Sequence, residues 1–199
     1  MPDITKQHPP LPELLLAEEQ RLSVPRRGHV FRIGDKVEYL YLVNAGQVYL
    51  QHLNPTGNVV VLQRIGPGEF LAECSLSMST YGFDAKCPAD TELRRFPVRQ
   101  FRDALYSDGH FAAEWAMYLS DQLRAKFARI ELHNIKNARD RILRYLIEMA
   151  DPAGGVALRG SLRALAAELG IAHEVLYRTL AQLEREKQIF RSEGNIQVL

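Results

Sequence analysis

Residues 161–183 read SLRALAAELGIAHEVLYRTLAQL, two amphipathic stretches broken by one glycine. No other segment limits the fold as strongly. In the first stretch Leu162, Leu165, Ala166 and Leu169 recur at i, i+3, i+4 and i+7, the spacing of one buried helical stripe. Ser161 stands where an N-cap belongs, and Gly170 stands where the chain leaves a helix in a left-handed conformation. In the second stretch Val175, Leu176, Leu180 and Leu183 form the apolar face. His173, Glu174, Tyr177 and Arg178 therefore point outward from its first turns. In a helix-turn-helix those early positions of the second helix enter the major groove of DNA. An arginine there grips guanine through O6 and N7, and a glutamate accepts from a cytosine amine. Ser161 and Arg163, at the start of the first helix, are placed to hold phosphates and fix register. A helical hairpin that recognises nothing would show the same apolar stripes, but the residues that follow argue against it. Ile189-Phe-Arg, a Gly194-Asn195 turn and Ile196-Gln-Val198 predict a β-hairpin, the wing of a winged helix. Residues 138–199 are expected to form a DNA-binding domain.

Upstream the periodicity changes. A tail with Pro2, Pro9, Pro10 and Pro12 leads into a short helical piece, Glu13 to Gln20. From Gly28 onward, short period-two runs at 29–33, 39–43, 48–53 and 59–65 are each ended by a turn signal: Gly34-Asp35, Asn44-Ala45-Gly46, Asn54-Pro55-Thr56-Gly57 and Gly66-Pro67-Gly68. Such spacing predicts an antiparallel sandwich or barrel. One more strand is expected from about Ala85 to Phe96, and a short helix from Pro97 to Leu105. The roll and its flanks make a domain over 1–109. A long helix follows over about 110–136. In it Ala116, Ser120, Leu123, Phe127, Ile130 and Asn134 repeat by four and three, the seam of a two-stranded coiled coil. The alternative is one intramolecular packing stripe; the expectation is a homodimer through 110–137. Trp115, Tyr118 and Leu119 lie off the seam and should face the β-domain. Arg139 to Met149 opens the C-terminal domain with another amphipathic helix, and Asp151 to Gly155 reads as a loop. The fold class is α+β.

At 199 residues the chain is long enough for one large or two small domains, and its 46% apolar and 25% charged content is that of a globular protein. No apolar run reaches the ~18 residues of a membrane span, and no leader pattern opens the chain. No membrane contact is expected, and a cytoplasmic location is. The net charge of +1 says little, but Arg124, Lys126, Arg129, Lys136, Arg139, Arg141 and Arg144 crowd the approach to the C-terminal domain. Cys74 and Cys87 are too few for a four-thiolate cluster or an all-cysteine zinc site. They are either a redox-sensing disulfide pair or two small buried apolar residues. The six histidines, His8, His29, His52, His110, His133 and His173, are scattered. No metal, no cofactor and no catalysis are expected, since no nucleophile–base pair is evident.

A glycine-cornered β-roll, a long helix and a winged helix in that order resemble the Crp/Fnr family of bacterial transcription regulators, over nearly the whole chain. Gly34, Gly46, Gly57 and Gly68 fall at the family's corner spacing. Gly68-Glu-Phe-Leu-Ala-Glu73 looks like the entry to its phosphate-binding cassette. The resemblance implies a cyclic-nucleotide-binding-like roll (a double-stranded β-helix) and a homodimer reading a pseudo-palindrome, with half-sites roughly 34 Å apart. It also implies RNA polymerase as a partner and a small-molecule effector. Glu174 and Arg178 match the family's reader pair. Its usual Arg before that Glu is His173 here, and its usual Ser/Thr cap is Ala172, which forgoes a hydrogen bond worth ~1 kcal/mol. In cyclic-nucleotide-binding members a Gly-Glu is followed about ten residues on by Arg-Ser-Ala, the Glu holding the ribose and the Arg the phosphate. Here Glu73 is retained, the Gly is Ala72, and Phe83-Asp84-Ala85 replaces Arg-Ser-Ala. The bidentate phosphate contact is gone, and Asp84 puts a like charge beside the phosphate position. Lys126 and Phe127 stand roughly where the family places hydroxyl residues that contact the base. The effector is thus expected to differ from cyclic AMP, or binding to DNA to be constitutive. Two other readings are a ligand-binding interaction module without DNA binding, and a cupin-like enzyme, which would need clustered metal ligands that His29 and His52 do not supply.

Overall fold

The computed structural model describes residues 8–54, 57, 59–158, 161–192 and 194–199. The described chain divides into two compact units, one ending at Ser120 and one beginning at Asp121.

The first unit opens with α1 (Glu13–Ala17) and continues with β1 (Gln20–Val24), β2 (His29–Phe31), β3 (Tyr39–Ala45), β4 (Val48–Leu53), β5 (Val59–Ile65) and β6 (Phe70–Leu71). A 3-10 turn (Glu73–Ser77) precedes β7 (Asp84–Lys86), β8 (Thr91–Pro97) and α2 (Val98–Ser107). Two antiparallel four-stranded sheets result, ordered β1-β8-β3-β6 and β2-β7-β4-β5. Strand β3 is buried at four consecutive residues, Leu40 to Val43, because both of its faces are covered. Its neighbours in one core include Phe70, Phe96, Phe101, Trp115 and Tyr118. The corner glycines all take positive φ, and Gly46 shows why one is required: a Cβ there would lie 2.6 Å from the Asp90 carbonyl oxygen.

Two expectations need correction in this unit. The single strand foreseen from Ala85 to Phe96 is two strands, β7 and β8, in different sheets. Pro88 cannot donate to a ladder, and the Asp90 carboxylate accepts instead from the Arg26 amide at 2.7 Å, fixing a turn between them. The helical piece expected to reach Gln20 stops at Ala17, and Gln20–Val24 is an edge strand paired with β8.

Helix α3 (Gly109–Asn134) begins on Asp108, whose Oδ1 accepts from the His110 and Phe111 amides, both at 3.0 Å. Its first turns bury Phe111, Trp115 and Tyr118, and Trp115 packs edge-on to Phe101 at 4.8 Å and Phe70 at 5.0 Å. These residues face the β-roll as the sequence suggests. The seam residues Leu123, Phe127 and Ile130 are 54%, 60% and 56% exposed in the single chain.

The second unit adds α4 (Ala138–Met149), β9 (Gly155–Ala157), α5 (Leu162–Glu168), α6 (His173–Arg185), β10 (Ile189–Ser192) and β11 (Asn195–Val198). Its core joins Ile142 and Leu146 of α4 to Leu165 and Leu169 of α5, to Leu176, Leu180 and Leu183 of α6, and to Ile189 and Ile196 of the hairpin. In α6 the buried set is Leu176, Thr179, Leu180 and Leu183, at i, i+3, i+4 and i+7, so Val175 sits at the half-buried margin where a core position was expected. The 151–155 loop ends in β9, which pairs with β11 and makes the wing three-stranded.

Candidate nucleic-acid interface and effector pocket

Helix α5 starts directly after Ser161, whose carbonyl accepts from the Leu165 amide at 3.1 Å. It ends at a left-handed Gly170 (φ +64), with the Ile171 amide donating back to the Ala166 carbonyl at 3.0 Å. The turn is held from outside as well. Arg141 donates through Nη1 to the Leu169 carbonyl at 2.9 Å, and through Nε and Nη2 to the Ile135 carbonyl at 2.9 and 2.6 Å. The His133 ring Nε2 meets the Glu168 carbonyl at 3.1 Å. The last carbonyls of α5, which no intrahelical amide reaches, thus find donors on α3 and α4.

Helix α6 enters from Ala172 with no side-chain cap. On its first two turns Glu174, Tyr177 and Arg178 are exposed and His173 is half-buried. His173 Nε2 lies 3.3 Å from a Glu174 oxygen, and its ring packs edge-on to Tyr177 at 6.2 Å. Arg178 has no hydrogen-bond or ion-pair partner among the described residues, so its guanidinium is available. Ser161 and Arg163 are exposed at the start of α5. The structure therefore brings all six expected DNA-facing residues into the helix-turn-helix segment of one unit.

The crowded basic stretch is largely spent on internal bonds. Arg139 pairs with Glu186 at 2.6 Å, Arg144 with Glu148 at 2.6 Å, and Arg124 with Asp121 at 2.5 Å. The wing is tied to α6 by Arg191, which reaches Glu184 Oε2 through Nη2 at 2.6 Å and Nε at 3.0 Å. Hydrogen bonds from Arg191 hold the Glu184 carboxyl below its ordinary value, and those from Arg139 and Gln182 do the same for Glu186.

In the β-roll, a cavity of about 440 Å³ is lined by Ile33, Gln51, His52, Leu53, Gly82, Phe83 and Asp84. Phe83 and Asp84 were expected at such a site; the other five were not. Gln51 and Asp84 are register partners across β4 and β7, which sets both side chains on one sheet face. Asp84 Oδ1 accepts from the Ile33 amide at 2.9 Å, closing the loop after β2 over the rim. Glu73, half-buried at the head of the 3-10 turn, is not among the lining residues, and Lys126 and Phe127 are exposed on α3 in the second unit. Ala72, where the family pattern has glycine, is buried with φ +72. A left-handed alanine costs roughly 1–2 kcal/mol, so the roll holds this turn against strain.

Cys74 is exposed and Cys87 is buried, and the two do not form a disulfide. Burial pushes the Cys87 thiol up, against a hydrogen bond with Thr91 that lowers it, so its reactive thiolate is disfavoured. Among the described residues no three His, Cys, Asp or Glu side chains are grouped to hold a metal, and no helix is long and apolar enough to cross a membrane.

Residues 21–108 match the family model of the cyclic nucleotide-binding domain. The chain is 26% identical to the transcriptional regulator SdrP of Thermus thermophilus, over 85% of this chain and 88% of that protein. It is 27% identical to the cyclic AMP receptor protein of the same organism, over 94% and 87%. Among solved structures, FixK2 from Bradyrhizobium japonicum shares the fold at a TM-score of 0.69 and 24% identity, covering 90% of this chain and 92% of that one. SdrP is named as a transcriptional regulator, and Crp/Fnr regulators bind DNA and act as dimers. The cyclic nucleotide-binding match, the named relatives, and a β-roll, a long helix and a winged helix in the same order support a Crp/Fnr-type transcription regulator.

Proposed function

We propose that this protein is a cytoplasmic homodimer that reads a pseudo-palindromic promoter site through two copies of α6. Residues 1–109 serve as sensor, 110–137 as dimerisation helix and 138–199 as DNA-binding domain. The observation that carries the reading is the exposure of Glu174 and Arg178 on the first turns of α6, with Arg178 having no partner among the described residues. Arg178 takes a guanine edge and Glu174 a cytosine amine, with His173 and Tyr177 flanking them. Ser161 and Arg163 hold phosphates at the entry of α5. Leu123, Phe127 and Ile130 supply the dimer seam, since a stripe of large apolar side chains at heptad spacing gains most by burial against its own copy.

Once seated, the dimer presents its remaining surface to RNA polymerase. The roll biases the DNA-binding units by binding a small molecule in one arrangement more tightly than in another. One relative is named for cyclic AMP, but Phe83 and Asp84 here replace the phosphate-gripping pair, so the effector in this chain is of another kind. Selection of bound sequences from random duplex DNA by the purified protein tests the reading. A two-fold symmetric motif is expected, and no enriched motif with any added effector would return the chain to the interaction-module reading.

A further inference from the structure

We infer that the β-roll cavity takes an uncharged small molecule with an apolar body and a hydrogen-bond donor at one end, and rejects anions. The inference rests on the proposed reading of this cavity as the effector site, and it names the class of ligand. At about 440 Å³ the space suits a compact organic molecule. Its mouth is apolar: Ile33 and Leu53 are 60% and 63% exposed there, with Phe83 beside them. Large side chains held that bare gain by covering, which an apolar ligand body provides.

The polar groups sit together at one side. Gln51, only 9% exposed, faces Asp84 across the β4–β7 register, and His52 lines the same space. Asp84 spends one oxygen on the Ile33 amide and offers the other as an acceptor. Among the described residues that line the cavity there is no arginine or lysine. An anionic group would therefore lose its hydration with no cation to replace it, and would approach Asp84 as a like charge. Arg32 and Lys86 lie near enough to act on His29 together with Asp84. Neither of them lines the cavity. A neutral N–H or O–H donor meets Asp84 and Gln51 without either penalty.

Three probes of graded charge test this on the full-length protein: indole-3-acetamide, indole-3-acetate and cyclic AMP, each titrated while backbone amide resonances are followed. The amide is expected to shift Gln51, Phe83 and Asp84, with at least tenfold higher affinity than the acetate or cyclic AMP. Asp84→Asn keeps an acceptor for the Ile33 amide and should narrow the amide-to-acetate ratio at least threefold. Leu53→Lys, a change at an exposed position, should narrow it likewise by supplying a cation. Equal or tighter binding of either anion at these residues would overturn the inference, as would no binding of any probe there at millimolar concentration. DNA selection is read separately: a symmetric DNA motif with no probe binding removes the ligand class and leaves the regulator standing. Probe binding with no DNA motif does the reverse.

Discussion

Gly170→Ala separates two costs that the structure places at one residue. The first is conformational. Gly170 has φ +64, and an L-residue with a side chain pays roughly 1–2 kcal/mol to stay there. The second is contact. A Cβ built on Gly170 falls 3.1 Å from His133 Cε1 and 3.2 Å from its Nδ1, so the ring must move. A shift of a few tenths of an ångström strains the His133–Glu168 hydrogen bond, whose complete loss would cost about 0.5–1.5 kcal/mol net. The sum is about 1.5–3.5 kcal/mol at most, and it falls on the second unit alone. Gly34→Ala is the comparison: φ is +88 and nothing lies within 4 Å of its added Cβ, so only the conformational cost applies, in the first unit. Urea unfolding followed by circular dichroism and by amide exchange on α6 reads the first variant. Fluorescence of the sole tryptophan, Trp115, reports the β-roll and should keep its midpoint in Gly170→Ala. Protection of α6 should fall by the full amount, and DNA affinity should fall with it, since the turn sets the angle of the reader helix. An unchanged α6 protection, or an equal loss in both units, would refute the argument.

Other perturbations act on separate parts. Phe127→Glu places a charge on the bare seam of α3 and should convert dimer to monomer in sedimentation at micromolar concentration, with both units still folded by circular dichroism; a retained dimer would move the interface elsewhere. Glu184 and Glu186 have carboxyls held low by their arginine partners, so their contribution to stability is complete above the unfolded carboxylate range near 4.5 and is lost as pH falls through the lowered folded values. Acid titration of the second unit should therefore be steeper in the wild type than in the Glu184→Gln, Glu186→Gln double variant. A thiol reagent should modify the exposed Cys74 well before Cys87, which stays untouched until the roll unfolds; equal rates would contradict the burial and raised thiol pKa of Cys87.

The parts legible in the sequence are those with a strong local period. The stripe Leu162, Leu165, Ala166, Leu169 and the Gly170 break predict α5 and its turn because helical spacing and a left-handed terminus are both local facts. The wing was legible from Gly194-Asn195 between two β-rich runs. What escaped depends on distant partners. Strand β1 buries only Val24 among its five residues, so it carries no alternation to detect and exists through its pairing with β8. Arg139, Arg141 and Arg144 read as free positive charge, whereas their acceptors are Glu186, two main-chain carbonyls and Glu148. The cavity is assembled from residues 33, 51–53 and 82–84, and only the sheet register brings Gln51 opposite Asp84. Thr179 took the core position expected of Val175 because the helix phase is set by Leu176, Leu180 and Leu183 together, and a threonine on that face can be buried.

The central claim is that α6 reads base edges through Arg178. The direct measurement compares wild-type and Arg178→Ala proteins on the DNA site selected by the wild type, with each base pair varied in turn and salt held constant. Loss of a base-edge contact predicts a cost of about 1–3 kcal/mol and relaxed preference at one base pair in each half-site, with the salt dependence nearly unchanged. Unchanged affinity and preference would mean that α6 does not read this site. A uniform loss across all sequences, with a reduced salt dependence, would place Arg178 on a phosphate instead.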